Sequence, residues 1–535
     1  MNFDWHNPYA TVRSPVFARN VVSTSHPLAS QAGVRMLLKG GNAIDAAIAA
    51  AAVLTIVEPV SNGLGSDLFA ILWDGDRLLG LNASGVAPAA WGRAYFERRH
   101  GGALPVRGWD AVTVPGAVAG WVALSGRCGQ LPFADLLEPA IELAERGHGV
   151  ACIVADKWAR QVPLLQAQPG FAEAFMPRGR APLPGERFVF EAAGRTLRAI
   201  ADTRGEAFYR GEVAAALVAH AAANGGSMAA SDLAAFQPEW VETIATAFAG
   251  HTVHQIPPNG QGIAALMALG MLEQLDVVRL PVDSVESQHL QIEAMKLAFA
   301  DTYRWVADPR AMTEVTAADL LSPAYLRERA RLIVPGLAQD FAHGTPPAGG
   351  TVYLTAADAQ GRMVSLIQSN YMGFGSGVVV PGTGVSLQNR GQGFTLDARH
   401  PNVVAGGKRP FHTIIPGFLC QDGQPRMSFG VMGGNMQPQG HVQTLMRMLR
   451  HGQQPQAACD APRWKVATGL AIDFERTMAP GLVAGLHALG HRSEATADAY
   501  THIGSGQYIW RHGDALADGY VAASDSRRDG LAVGY

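Results

Sequence analysis

"PPAGGTVYLTAADAQGRMVSLIQSN", residues 346–370, is the stretch from which the rest of the chain is read. A Pro/Gly-rich segment stops at Gly350, and Thr351 opens an apolar-rich strand that turns at Asp358–Gly361 and returns as a second strand. Two readings begin at Thr351. In one, Gly-Gly-Thr is an ordinary loop-to-strand junction. In the other, the chain is cut before Thr351, which becomes a new N-terminus. A threonine hydroxyl is a weak nucleophile that needs a base within hydrogen-bond reach, and a freed α-amine supplies that base from the same residue. Its unperturbed pKa of about 8 lets it accept and return a proton near neutrality. Glycines before the threonine permit the backbone distortion that self-cleavage requires and leave the carbonyl unobstructed.

The composition narrows the function classes. In 535 residues, 48% are hydrophobic and 16% charged, the balance of a compact protein with large buried layers. A formal net charge of -3 gives no overall field toward nucleic acid or an anionic membrane, so neither is expected as a partner. Cys128, Cys152, Cys420 and Cys459 are far apart, with no CxxC pair and no metal-ligand spacing. They read as buried small hydrophobes in a reducing compartment. The N-terminal residues lack a basic region followed by an apolar one, and the longest apolar run, Ala46 to Val57, is too short and alanine-rich to span a bilayer. A cytoplasmic location is expected, with no metal and no cofactor.

Before residue 350 the pattern is largely helical. "HPLASQAGVRMLLKGGNAIDAAIAAAAVLTIVEP" predicts two helices, the first closed by glycine and the second opened by Asn42 as N-cap. The second is apolar on nearly every face and should be buried. The turn Ser61–Asp67 leads into the strand "LFAILWDG" and its hairpin partner "GDRLLGLNASG". Residues 335–350 lack a consistent period and read as a connector. Beyond them come the hairpin "GVVVPGTGVSLQNRG" and the strands "RPFHTIIPGFLC", "PRMSFGVMGG" and "GQYIWRHG", with helices between. Strands in hairpins, flanked by helices, predict a layered α+β sandwich rather than a doubly wound sheet.

Chemistry-bearing motifs are few. There is no HExxH and no Walker loop, and "NGLGSD" is not GxGxxG and precedes a strand, so a dinucleotide site is poorly supported. Gly433 and Gly434 stand between a strand and a helix. Successive unobstructed N–H groups at such a turn match an oxyanion hole, but unaided the better reading is a tight turn that uses glycine only for positive φ.

Taken in order, "GGNAIDAAIAAAAVLTIVEP", "VPGAVAGW", "FYRG", "NGGSMAASDLAAF", "EAMKLAFADTYRWVADP", "GTVYLTAADAQG", "FGSGVVVPGTGVSLQN", "VMGG" and "ASDSRRDGLAVGY" resemble the γ-glutamyltranspeptidase family of N-terminal-nucleophile hydrolases. The resemblance runs from about residue 20 to the end. It implies a four-layer αββα sandwich formed jointly by two chains after self-cleavage between Gly350 and Thr351. Residues 1–350 would be the large subunit and 351–535 the small one, together a single structural unit. It also implies Thr351 as nucleophile and Gly433 and Gly434 as oxyanion donors.

Departures from the family pattern bear on the substrate. Ser84, in "LNASGVAPAA", stands where γ-glutamyl-specific members carry an arginine for the donor's α-carboxylate. The segment around Asn389 reads "LQNRGQGF", with Gly393 in place of the acid that holds the α-amino group. Arg390 stands where an amide glutamine is expected, either gripping a carboxylate or solvated on a hairpin. Gln368 takes the place of the threonine that supports the nucleophile, or Ser369 does if the register slips by one beside Asn370. His412 and Thr413 replace paired serines near the oxyanion site, and residues 394–408 are short, which implies an open site. The expected function is a self-processing amidohydrolase acting on a small carboxylated, oxamate-like amide. The alternatives are a γ-glutamyltransferase or glutathione hydrolase, and a catalytically silent metabolite-binding member. The expected partners are the amide substrate and the two chains of one precursor, with a dimer of such αβ units as one option.

Overall fold

A computed structural model describes residues 4, 6–10, 13–341, 350–493, 495–496 and 503–535. The hairpin predicted from 350–370 is present: strand Gly350–Ala357 pairs antiparallel with Met363–Tyr371. It lies in the middle of a seven-stranded sheet. The order is Leu531–Gly534, Val21–Thr24, Gly350–Ala357, Met363–Tyr371, Asp67–Trp73, Leu78–Ala83 and Glu239–Val241. A second seven-stranded sheet runs Val16–Ala18, Tyr520–Ser524, Ser505–Arg511, Gln424–Met432, Gly417–Gln421, His251–Gln255 and Ile244–Phe248. Every pairing in both sheets is antiparallel. Strands from both sides of residue 350 occur in each sheet, so neither region owns a sheet of its own.

Side-chain alternation assigns the faces. Val352, Leu354 and Ala356 join a core shared with the helices Pro27–Leu38, Ala43–Val57 and Phe133–Arg146. Tyr353 and Ala357 point the other way, into a cluster with Phe418, Met432 and Ile509 of the second sheet. That sheet turns Met427, Phe429 and Val431 outward, onto the helices Gly262–Leu272, Val285–Trp305 and Met436–Leu445. Helix Ala43–Val57 is buried along its whole length, as its apolar composition demands. It starts where predicted, at Asn42, whose side chain accepts from the N–H groups of Ile44 and Asp45 while Asp45 accepts from Asn42 N at 3.0 Å.

Polar contacts fix the register between the sheets. Thr355 Oγ1 lies 2.6 Å from Ser428 Oγ, and Ser23 Oγ donates to Gln507 Oε1 at 2.6 Å. Two residues along from Ser428, Gly430 lets the Tyr353 ring approach so closely that a Cβ there would lie 2.4 Å from it.

Two expectations need correction. The strand read from "RPFHTIIPGFLC" begins only at Gly417. Pro410 and Pro416 cannot donate to a ladder, and His412 pairs only through an isolated bridge to Gly260. All four cysteines are free, but only Cys420 and Cys459 are buried; Cys128 is half-buried and Cys152 exposed. Among the described residues no helix is long and apolar enough to cross a membrane.

Because the Tyr353 ring occupies the space above Gly430, Gly430→Ala should overpack the inter-sheet layer. The expected cost is about 1–3 kcal/mol in urea unfolding. An unchanged unfolding midpoint would show that the two sheets can separate there freely.

Candidate active site

Thr351 is 1% exposed, and its Oγ1 donates to Ser369 Oγ at 3.1 Å. The contact depends on a bulge. Between the pairs Gly350↔Tyr371 and Val352↔Gln368, the single residue Thr351 faces both Ser369 and Asn370. Ser369 Oγ also accepts from Tyr371 N at 2.8 Å, which fixes its rotamer. Tyr371 has φ +77°, a left-handed conformation that costs a non-glycine residue strain.

Gln368 does not support Thr351. Its neighbours on the same face, Val364 and Leu366, belong to the core under the helices. Gln368 follows them: its Nε2 donates to Ala51 O at 2.9 Å and Asn62 Oδ1 at 2.6 Å, and its Oε1 accepts from Trp121 Nε1 at 3.2 Å. Period-two alternation places Gln368 and Ser369 on opposite faces, so only Ser369 reaches the hydroxyl.

The opposite wall of the site follows from the sheet packing. Thr355 meets Ser428 and Tyr353 meets Gly430, and Tyr353 shares its cluster with Met432, the last residue of that strand. Gly433 and Gly434 follow, with φ +126° and +62°, and lead into the helix Met436–Leu445. Glycine is required at both because the chain leaves the strand through left-handed conformations. Gln261, which the sequence reading missed, locks this turn: its Nε2 donates to Gly434 O at 2.9 Å and Thr413 O at 2.6 Å.

Arg390 closes the circle. It opens a short 3-10 turn, Arg390–Gly393, and is 1% exposed, so the solvated-hairpin reading is excluded. Its Nη1 donates to Thr413 Oγ1 at 2.8 Å, and its guanidinium lies 4.8 Å from the centre of the Tyr371 ring. Nε and Nη2, which form the side-on edge of the guanidinium, have no hydrogen-bond partner among the described residues. Burial lowers its pKa to about 10, so it remains a cation at neutral pH. A buried cation with two unmatched donors on one edge fits an anion with two coplanar oxygens.

His412 and Asp67 stand beside it. His412 Nδ1 accepts from Ile414 N at 3.3 Å, which leaves the proton on Nε2 to be donated to Asp67 Oδ2 at 3.0 Å. Both side chains are fully buried. Burial, and then the charge of Arg390, hold the His412 pKa well below the usual range, so the ring is neutral. Burial also pushes Asp67 up to about 7, against the pull of Arg390 and of backbone N–H donors. Asp67 pairs with Ser369 in the sheet register. No separate signal marks it among the residues, because it closes a glycine-rich turn in which aspartate is routine.

The remaining expected site residues are occupied by protein groups. Asn370 Oδ1 accepts from Ser66 Oγ at 2.8 Å and its Nδ2 donates to Ser386 Oγ at 3.3 Å. Asn389 Oδ1 accepts from Met372 N at 3.2 Å and its Nδ2 donates to Val106 O at 2.9 Å. Both shape the loop behind Arg390. Ser84 is buried in a network with Asn82 and Asn259. At Gly393 a Cβ would lie 2.3 Å from the carbonyl oxygen of Phe411, so no acidic side chain fits there without backbone movement.

The family model for gamma-glutamyltranspeptidase matches residues 29–535. The glutathione hydrolase-like YwrD proenzyme of Bacillus subtilis is 36% identical over 98% of this chain and 99% of its own. The oxamate amidohydrolase proenzyme of Klebsiella pneumoniae is also 36% identical, over 98% and 99%. Among solved structures, cephalosporin acylase from Bacillus halodurans superposes with a TM-score of 0.94 at 44% identity, covering 99% of this chain and 98% of that one.

A carboxyl that titrates higher in the fold than in the unfolded chain keeps a proton that the unfolded chain has released. Its contribution to stability is complete below the unfolded pKa and is lost as pH rises through the folded one. With Asp67 near 7 in the fold, wild type should lose stability relative to Asp67→Asn between about pH 4 and 7, by on the order of a few kcal/mol. Unfolding midpoints at a series of pH values measure this, and parallel profiles for the two proteins would refute it.

Proposed function

Because the chain belongs to the gamma-glutamyltranspeptidase family, we propose that it cuts itself between Gly350 and Thr351 and then hydrolyses a small carboxylated amide. The observation that carries this reading is the Thr351 hydroxyl held on Ser369 at a bulge near the start of a central strand. In the cut, Thr351 Oγ attacks the carbonyl carbon of Gly350, and the peptide C–N bond breaks as its nitrogen takes the hydroxyl proton. Water then hydrolyses the ester, leaving a Gly350 carboxylate, a free Thr351 hydroxyl and a free α-amine. Residues 1–350 and 351–535 would share one four-layer αββα body, since each contributes strands to both sheets.

In turnover the α-amine accepts the hydroxyl proton as Oγ attacks the substrate amide carbon. The N–H groups of Gly433 and Gly434 receive the charge that develops on the oxygen, a contribution whose loss typically costs about 100- to 1,000-fold. The ammonium then gives its proton to the leaving amine, and water resolves the acyl ester with the amine again as base. Arg390 offers its Nε/Nη2 edge to the substrate carboxylate, and Tyr371 and Thr413 hold the guanidinium in place. Ser369 contacts both the nucleophile and the backbone of Tyr371, whose ring lies under Arg390, and we take a short carboxylated amide as the donor that reaches both. An oxamate-like donor meets that requirement. The closed space at Gly393 disfavours a γ-glutamyl donor, whose α-amino group would have no carboxylate there.

On a denaturing gel, purified protein should resolve into two chains, the smaller beginning at Thr351, while Thr351→Ala stays a single chain of 56.5 kDa. A wild type that remains intact refutes self-processing. Ammonia release separates the substrate readings: Arg390→Ala should lower kcat/KM for oxamate by about 100-fold. A strong preference for a γ-glutamyl anilide that Arg390→Ala leaves unchanged would overturn the carboxylate assignment.

A further inference from the structure

Residues 104–108 tie together the two loops that carry Arg390 and Tyr371. Leu104 O accepts from Gln392 Nε2 at 2.7 Å and Val106 O accepts from Asn389 Nδ2 at 2.9 Å, so the segment holds the chain on both sides of Arg390. On the other loop, Arg107 Nη1 donates to Gly373 O at 2.9 Å and to Gly375 O, and Gly108 N donates to Ser376 O at 2.9 Å. Asn389 Oδ1 joins the two loops directly by accepting from Met372 N at 3.2 Å.

The loop that Arg107 holds, residues 371–377, is strained: Tyr371 and Phe374 are non-glycine residues with φ +77° and +53°. Its carbonyls divide into two sets. Met372 O and Phe374 O accept from Gly375 N and Gly377 N within the loop. Gly373 O and Gly375 O accept from Arg107, and the N–H groups of the same two peptides donate outward, Phe374 N to Val60 O at 2.7 Å and Ser376 N to Leu387 O at 2.9 Å. Those outward bonds draw both carbonyl oxygens onto a single nitrogen. Two oxygens that share one nitrogen are close neighbours, and without a cation between them their like partial charges repel. Among the described residues no carboxylate offsets the Arg107 charge; burial lowers its pKa to about 10 and leaves it a cation.

We propose that Arg107 is a positioning residue for carboxylate recognition. By holding the 371–377 loop in its strained shape, it keeps the Tyr371 ring against the Arg390 guanidinium, whose free edge then meets the substrate carboxylate. The inference rests on the reading of Arg390 given above. The second hold, through Gln392 and Asn389, fixes the turn that carries Arg390 itself.

The test is steady-state hydrolysis of oxamate by the cut enzyme. Arg107→Met should raise KM about tenfold and leave kcat within about twofold, the pattern of lost uniform binding. Arg107→Lys, which keeps the charge and a donor, should stay within about threefold of wild type. In an Arg390→Ala background, Arg107→Met should change kcat/KM by less than about twofold, because a residue that acts through Arg390 then has nothing to position. Gln392→Met, which removes only the bond to Leu104 O, should raise KM about threefold and covers the case in which Arg107→Met does not fold. Wild-type KM in both Arg107→Met and Gln392→Met overturns the inference and leaves the carboxylate reading standing. A loss of about tenfold that persists in the Arg390→Ala background overturns it too, by making Arg107 a general support of the fold. Arg390→Ala with wild-type activity on oxamate overturns the carboxylate reading and this inference together.

Discussion

Side chains on a strand alternate between two faces, and in Gly350–Ala357 neither face meets solvent. Val352, Leu354 and Ala356 are committed to helices; Tyr353, Thr355 and Ala357 are committed to the second sheet. Thr351, by the same alternation, enters the layer between the sheets at its open end. The position of its hydroxyl is thus set by apolar packing many residues away. A reactive group built this way needs few polar contacts of its own, and Ser369 is the one the hydroxyl donates to. The bulge that delivers Ser369 is stabilised from the other side by Tyr371, whose strained backbone carries the ring beneath Arg390.

Much of this was legible in the residues. The hairpin, the Asn42 cap, the buried alanine-rich helix and the glycine turn each follow from local rules of capping, periodicity and φ, and local rules need no knowledge of partners. The ordered set of motifs singled out Thr351, Gly433 and Gly434 as the expected nucleophile and oxyanion donors. What could not be read was anything that depends on which face a side chain takes after a bulge. Gln368 and Ser369 are adjacent in sequence and both polar, and only the register tells that one meets Trp121 and the other Thr351. Asp67 and Gln261 were missed for a related reason. Each sits in a Gly-rich turn where its residue type is ordinary, and its significance comes from neighbours 152 or more positions away. The strand expected from residue 409 failed because two prolines interrupt it, and that irregular path is what brings His412 and Thr413 to the site.

Arg390 shows how charge is managed at a buried position. Its positive charge is offset by the nearby Asp67, its face by Tyr371 and one amine by Thr413. Those contacts spend the parts of the guanidinium that a carboxylate does not need. The edge left over is the one suited to two parallel hydrogen bonds. His412, held neutral, adds a dipole and no second positive charge.

The close approach of Phe411 to Gly393 has a consequence for ancestry. A glycine codon is a single base away from an aspartate or glutamate codon, so an acid at this position is within easy mutational reach. The carbonyl 2.3 Å from the would-be Cβ closes that path sterically. A lineage with this loop conformation cannot gain a carboxylate side chain by point mutation at residue 393 alone. It must first move a backbone held by Asn402, which accepts from Phe411 N and donates to Gly393 O. What residue 393 can carry is thus decided by main-chain geometry and not by the reach of the genetic code.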